Sequence, residues 1–274
     1  MYQIKSSQRI APAVWEMDIM APEVVERALP GQFIILRIDA KGERIPLTIH
    51  DTNNKEGTVR IIFQEVGKTT KRLANLHQGD FLKDFLGPLG QPSEIEKFGR
   101  VVCVGGGVGT AVIYPEAKAL REAGNRVISV LGARSKEFLI LEKKMQEVSD
   151  ELYITTDDGS YGRRGLVTGV LKELLDKDKV DLVVAIGPVP MMKFVSQLTR
   201  EYGVKTVVSL NPIMVDGTGM CGSCRVRIGE ETKFVCVDGP EFDGHQVDFE
   251  ELTVRNSRFR EEEKVALEGH KCHQ

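Results

Sequence analysis

The sequence predicts an α/β plus β-barrel chain: two halves of different texture followed by a small appendage. Over residues 1–97, short β-rich runs such as GQFIILRI and TVRIIFQEV alternate with turn signals such as DTNNKEG and FLGPLGQP. That pattern suits a small antiparallel barrel. Over residues 98–212, strands alternate with helical segments, which suits a parallel sheet with crossover helices. Residues 213–249 are rich in Gly and Cys, and residues 250–274 form a tail.

At 274 residues the chain has room for two compact domains and an appendage. Its 41% apolar and 28% charged residues exclude disordered and fibrous classes. The 37 Lys plus Arg nearly balance the 40 Asp plus Glu, so nothing points to a nucleic-acid partner; small ligands or proteins are expected instead. The opening residues MYQIKSSQRIAPAVWEM lack the basic start and apolar run of a signal peptide, and no apolar stretch has membrane-span length. The expectation is a cytoplasmic protein with no membrane contact.

The elements of the second half follow in order. RVVCVGG, NRVISVLGA, ELYITTDDG and DLVVAIGP read as strands, and the sheet is expected to end near SLNPIM. TAVIYPEAKALREAG, KEFLILEKKMQEV and GLVTGVLKELLDK read as the helices between them. EELTVRNSRFREEEKVALEG is partly helical in pattern, with sparse apolar residues.

Gly105-Gly106-Gly107-Val108-Gly109 follows the first of these strands directly and opens a helix. Bare backbone amides at a helix N-terminus suit a pyrophosphate, so this is a candidate dinucleotide site. The usual dinucleotide fingerprint ends its second strand on an acidic residue that holds the ribose. Here that strand ends in Gly132-Ala133-Arg134-Ser135, which departs from the usual dehydrogenase. Arg134 fits a 2′-phosphate or a solvated surface position equally well.

In the barrel half, Arg44-Ile45-Pro46-Leu47-Thr48 opens a strand. An arginine can pair with a pyrophosphate while the next residues present backbone and small side chains to a flat ring. Gly67-Lys68-Thr69-Thr70 offers amides and hydroxyls to phosphate oxygens. Taken singly, each motif also fits a charged strand end or an ordinary turn.

The five cysteines are an odd number in a chain without an export signal, so metal or redox chemistry is expected before disulfides. Cys103, inside the apolar run VVCV, reads as a buried structural thiol. Asp216, Cys221, Cys224 and a more distant Cys236 have the C-x4-C-x2-C spacing of plant-type ferredoxins, with aspartate in the first position. Three thiolates and a carboxylate could also surround one zinc ion. The fold of this segment is expected to depend on the metal. His270, Cys272 and His273 could bind metal or simply form a polar terminus.

In this order, the RIPLT, GKTT and GGGVG motifs resemble the ferredoxin reductase superfamily, which joins an FAD-binding barrel to a nicotinamide-binding domain. TTDDGSYGRRGLVTGVL, GPVPMM and the cysteine segment tighten the likeness to electron-transfer subunits of the dihydroorotate dehydrogenase and sulfide dehydrogenase type. It covers nearly the whole chain except about the last 25 residues. Asp216 departs from the cysteine usual in dihydroorotate subunits. It is similar instead to the small subunit of electron-bifurcating NADH-dependent reduced ferredoxin:NADP oxidoreductases.

The resemblance implies FAD contacts at Arg44, Pro46, Leu47, Thr48, Gly67, Thr69 and Thr70. It implies an NAD(H) site lined by Gly105, Gly106, Gly107 and Gly109, with Asp157 and Gly187 near it. A [2Fe-2S] cluster would be held by Asp216, Cys221, Cys224 and Cys236. A larger flavoprotein and iron–sulfur subunit would complete a heterodimer and reach ferredoxin and NADP(H). The cofactors carry the chemistry, so no catalytic acid or nucleophile is expected. The alternatives are a dihydroorotate dehydrogenase electron-transfer subunit and a non-catalytic, zinc-containing nucleotide-binding regulator.

Overall fold

The computed structural model describes residues 1–271. Cys272 and His273 lie outside the described residues, as does the side chain of His270.

The N-terminal half runs β1 (Tyr2–Ala11), β2 (Val14–Met20), α1 (Pro22–Val25), β3 (Phe33–Arg37) and β4 (Ile45–Thr48). It continues with β5 (Asp51–Asn53), β6 (Thr58–Gln64), α2 (Lys68–Ala74), β7 (Phe81–Leu82) and β8 (Asp84–Leu89). The expected antiparallel strands form two sheets, β5-β6-β2-β1-β7 and β4-β3-β8, and among the described residues no ladder joins them into a closed barrel. The chain joins them at two corners. At the first, Ile49 N–H donates to Gln32 O in one sheet while His50 N–H donates to Arg60 O in the other. At the second, Lys83 separates β7 from β8. Alternate residues Met17 and Ile19, Ile34 and Leu36, and Ile61 and Phe63 fill the space between the sheets, as the two-residue strand period requires.

The second half runs β9 (Arg100–Gly106), α3 (Gly109–Glu122), β10 (Arg126–Ala133), α4 (Glu142–Glu147) and β11 (Glu151–Thr156). Next come β12 (Arg163–Arg164), α5 (Val167–Lys177), β13 (Leu182–Ile186), α6 (Val189–Glu201) and β14 (Lys205–Ser209). Their parallel sheet has the order β12-β11-β10-β9-β13-β14. Runs such as Val101–Val104 and Leu182–Ile186 are buried because helices cover both faces.

Two features differ from the sequence expectation. The segment KEFLILEKKMQEV is not one helix: Leu141 takes φ +59° and only Glu142–Glu147 is α-helical. At the break, Ile140 is buried in one cluster with Val14 and Ile62 of the N-terminal half and Ala111 of α3. The sheet also continues beyond SLNPIM. After the hairpin β15 (Arg225–Ile228) and β16 (Glu231–Phe234) and the short α7 (Val235–Asp238), β17 (Glu241–Asp243) pairs antiparallel with β14.

Two helices end the chain, α8 (Phe249–Asn256) and α9 (Arg260–Lys271). Asp248 caps α8 by accepting the Glu251 N–H at 2.9 Å. Phe249 and Leu252, three residues apart on one helix face, are buried in the same core as Val226 and Val235 of the cysteine segment. Each such side chain contributes roughly 1.5–3 kcal/mol by burial. Apolar packing therefore holds this segment to the α/β half.

Candidate functional site

The parallel strands β9, β10, β11 and β13 end along one edge of the sheet, and the strand order reverses between β9 and β13. Ligands of open α/β sheets bind in the crevice at such a reversal. Gly105, Gly106, Gly107 and Gly109 lie on the β9 side and Gly187 on the β13 side. The two sides touch: a Cβ on Gly187 would lie 3.1 Å from Gly106 Cα. Gly109 sits so close to β13 that a side chain there would strike the Ile186 carbonyl. Gly107 has φ +56° and open space where a Cβ would be, which leaves a cradle at the start of α3. Asp157 is exposed just past β11, with its N–H donating to Ala133 O at 3.1 Å. Arg134 is exposed at the end of β10.

In the N-terminal half, β4 is the edge strand of its sheet and pairs only with β3, Pro46 opposite Ile35 and Thr48 opposite Phe33. Proline is tolerated on an edge strand because its missing N–H breaks no ladder there. Pro46, Leu47 and Thr48 are half-buried, and Arg44 is exposed just before them. Arg44 lines a cavity of ≈ 380 Å³ with Tyr2, Ile35, Arg37, Asp84, Phe85, Leu86 and Asp216. The volume and the mixture of apolar wall with charged rim are those of a small-molecule site. Arg37 is paired with Asp84, whereas Arg44 has no ion-pair partner among the described residues and so remains available to an anion. Gly67, Thr69 and Thr70 open α2. Here the protein already uses the polar groups: Thr70 Oγ1 accepts the Gly67 and Val66 N–H groups, each at 3.0 Å, and Thr69 donates to Glu43.

His50, which the sequence did not single out, locks the two halves together. It is 1% exposed, and its Nδ1 lies 2.7 Å from Ala111 O on α3. A carbonyl only accepts, so Nδ1 carries the proton. His50 is two residues past Thr48 and Ala111 two past Gly109, so this bond sets the strand of one candidate site against the glycine loop of the other.

The cysteine loop lies on the other side of the cavity. Gly217, at φ +76°, packs so closely on β3 that a Cβ would come 2.7 Å from Ile35 Cγ1. The four candidate ligands form two pairs. Asp216 and Cys221 face each other, and Cys224 and Cys236 face each other in the buried interior. The Asp216 carboxyl is held below its usual range chiefly by the Thr218 N–H, which donates to Oδ1 at 3.0 Å. The Cys236 N–H donates to Cys224 Sγ at 3.5 Å, and Cys221 Sγ lies 3.3 Å from the Ser223 hydroxyl. Burial pushes the Cys236 thiol up to about 12. A protonated thiol there is the metal-free form, since a coordinating thiol is deprotonated outright. Amide donors aimed at sulfur are the environment iron–sulfur sites use to stabilise charge. Among the described residues no three His, Cys, Asp or Glu side chains form a single-ion cage. Cys103 is fully buried in β9, far up from the ordinary thiol range by desolvation, as a structural thiol should be.

The fold alone is shared with reductases such as phthalate dioxygenase reductase, at 16% identity and a TM-score of 0.59 over 83% of this chain and 85% of that one. That fold is ferredoxin reductase-like. Residues 211–248 match the iron-sulfur cluster binding domain of dihydroorotate dehydrogenase B. The chain is 51% identical to a dihydroorotate dehydrogenase B (NAD(+)) electron transfer subunit homolog of Thermotoga maritima, over 97% of this chain and 94% of that one. It is 33% identical to the dihydroorotate dehydrogenase B (NAD(+)) electron transfer subunit of Streptococcus pneumoniae, over 88% of this chain and 94% of that one. A solved structure of the NADH-dependent reduced ferredoxin-NADP oxidoreductase, described for flavin-based electron bifurcation, matches at 50% identity and a TM-score of 0.94 over 98% of each chain. The chain belongs to the family of dihydroorotate dehydrogenase B electron-transfer subunits. It is an electron-transfer subunit of an oxidoreductase that uses FAD, a [2Fe-2S] cluster and NAD(H). No helix among the described residues is long and apolar enough to cross a membrane.

Proposed function

We propose that this chain relays electrons between NAD(H) and a larger flavoprotein subunit in a bifurcating complex whose other substrates are ferredoxin and NADP(H). The observation that carries the relay is the shared cavity, with Arg44 on one wall and Asp216 on another. A flavin there would adjoin the cluster loop, and the His50–Ala111 bond ties its strand to the helix that follows the glycine loop. The partner follows from Asp216 in the first ligand position and from the 50% identity to the ferredoxin-NADP oxidoreductase chain. A dihydroorotate-oxidising partner is the second reading, favoured by the names of the relatives.

When bound, the cofactors supply hydride transfer between nicotinamide and flavin and single-electron steps to the cluster. The protein's part is placement. Arg44 neutralises flavin phosphate, and Pro46, Leu47 and Thr48 present the strand edge to the ring. Gly67, Thr69 and Thr70 close the far end, where Thr70 doubles as a helix cap. Gly105, Gly106, Gly107 and Gly109 let the nucleotide backbone approach α3, with Asp157 and Gly187 at the rim. Asp216 with Cys221 would hold one iron, and Cys224 with Cys236 the other. Stopped-flow mixing of the flavin-loaded chain with NADH tests the relay. Bleaching of the flavin followed by the reduced-cluster paramagnetic signal is expected, and faster with NADH than with NADPH. Flavin bleaching that never reaches the cluster contradicts the relay, and a tenfold preference for NADPH contradicts the nucleotide assignment.

A further inference from the structure

The C-terminal helix α8 brings an arginine to the cysteine loop. Arg255 is 7% exposed, and its Nη2 donates to Ser223 O at 3.0 Å. Ser223 lies between Cys221 and Cys224. The Arg255 Nε has no partner, and Glu251, one turn back on α8, is near without hydrogen bonding to it. Arg225 and Arg258 add like charge around it, and Cys224 lies within its field. A buried guanidinium without a carboxylate partner is costly, because desolvation is not repaid by an ion pair. An anion at the cysteine loop would repay it.

The peptide geometry points the same way. A trans peptide sets its C=O and N–H on opposite sides. Arg225 Nη1 donates to Gly222 O at 3.1 Å and so turns the Ser223 N–H of that peptide to the opposite side, while the Ser223 hydroxyl lies 3.3 Å from Cys221 Sγ. Arg255 holds the next carbonyl, Ser223 O, and so turns the Cys224 N–H away from itself.

On the reading of Asp216, Cys221, Cys224 and Cys236 as cluster ligands, we propose that Arg255 is a positioning residue whose buried charge raises the cluster's reduction potential and whose bond to Ser223 sets the C-x2-C turn. Three thiolates and a carboxylate leave an oxidised two-iron cluster negative. Taking up one of the two electrons that NADH delivers to the flavin as hydride, with the other left on the flavin for the next acceptor, would turn one ferric ion ferrous and add a further negative charge. A fixed cation in a low-dielectric site favours that state.

The test is a redox titration of the cofactor-loaded chain followed by electron paramagnetic resonance, with iron and sulfide assayed in the same samples. Arg255→Gln keeps an N–H donor and removes the charge. It should lower the ratio of reduced to oxidised cluster at the parent's midpoint about tenfold, about 59 mV for one electron. Arg255→Lys should stay near the parent, and Arg225→Gln, which removes an exposed charge, should shift less than Arg255→Gln. The resonance reads only loaded molecules, so partial iron loss does not blur the comparison. Complete loss in Arg255→Gln with retention in Arg255→Lys also supports the charge role. A parent-like midpoint in Arg255→Gln, an equal shift in Arg225→Gln, or iron loss in both Arg255 variants overturns it. A parent chain that takes up no iron and sulfide overturns the ligand reading itself, which separates the two failures.

Discussion

His50 Nδ1 donates to Ala111 O at 2.7 Å across the boundary between the two halves, and its Nε2 is buried without a partner. Tyr114 stacks against the ring at 5.1 Å. Burial holds the imidazole below its ordinary range, and Lys144 pushes the same way against Asp51 and Glu16. A group depressed in the folded state contributes stability above its unfolded value, about 6.5, which is lost as pH falls through the folded value. Thermal unfolding followed from pH 7.5 to 5 should show the parent losing stability below pH ~6.5. His50→Gln should be less stable at pH 7.5 and show a flatter acid limb. A limb of the same slope in both would remove His50 from that dependence.

Arg44→Ala should release FAD. Losing a hydrogen bond to a charged group costs about 1.5–3 kcal/mol, roughly tenfold to a hundredfold in affinity. Gel filtration with a visible spectrum reads the flavin-to-protein ratio. A full complement of flavin in the variant would place the flavin phosphate elsewhere.

Much of this architecture is legible in the sequence because the signals are local. The strand-GGGVG-helix run and the C-x2-C spacing each sit within a few residues. What escaped is set by contacts distant in sequence. His50 looks like an ordinary residue after a strand until Ala111, 61 positions on, accepts its proton. Strand β17 is only three residues long, and β14 alone makes it a strand. At the break at Leu141, Ile140 is buried in a cluster with residues of the other half, which no helical period encodes. Arg255 was readable in part: Phe249, Leu252 and Arg255 recur every three residues, so the helix places an arginine on its buried face.

Gly109→Ala should destabilise the chain more than Gly107→Ala. The first drives a methyl into the Ile186 carbonyl, and the second meets open space at the cost of an unfavourable φ of +56°. About 1–3 kcal/mol is expected for Gly109→Ala from overpacking and about 1 kcal/mol for Gly107→Ala from the left-handed backbone. Denaturant midpoints check the order, and equal midpoints would mean that the β9–β13 contact yields easily.

Glu116 on α3 is 1% exposed and faces Glu241 on β17. Burial, reinforced by that neighbour, raises its carboxyl well above the ordinary range. Ser93 donates to Glu241 Oε1 at 2.5 Å, and nearby Glu94 is paired with Lys205. A raised acid contributes stability that is complete below its unfolded value, about 4.5, and lost as pH rises through its folded value. Glu116→Gln should therefore melt at a higher temperature than the parent at pH 7 and at the same temperature near pH 4. A difference unchanged between the two pH values would show that Glu116 does not titrate differently on folding.

Replacing Asp216 with cysteine tests most directly its place as the fourth ligand of the cluster. Asp216 stands where the ferredoxin spacing puts the first thiolate, faces Cys221 and lines the cavity it shares with Arg44. Visible and electron paramagnetic resonance spectra of the loaded parent, Asp216→Cys and Asp216→Ala are the measurement. The cysteine variant should keep its iron and sulfide while both spectra move towards the all-thiolate type, and the alanine variant should lose cluster or change spectrum. Spectra in both variants identical to the parent's, at equal iron content, would show that Asp216 only caps its turn through Thr218, and the dihydroorotate-type reading would then be the stronger one.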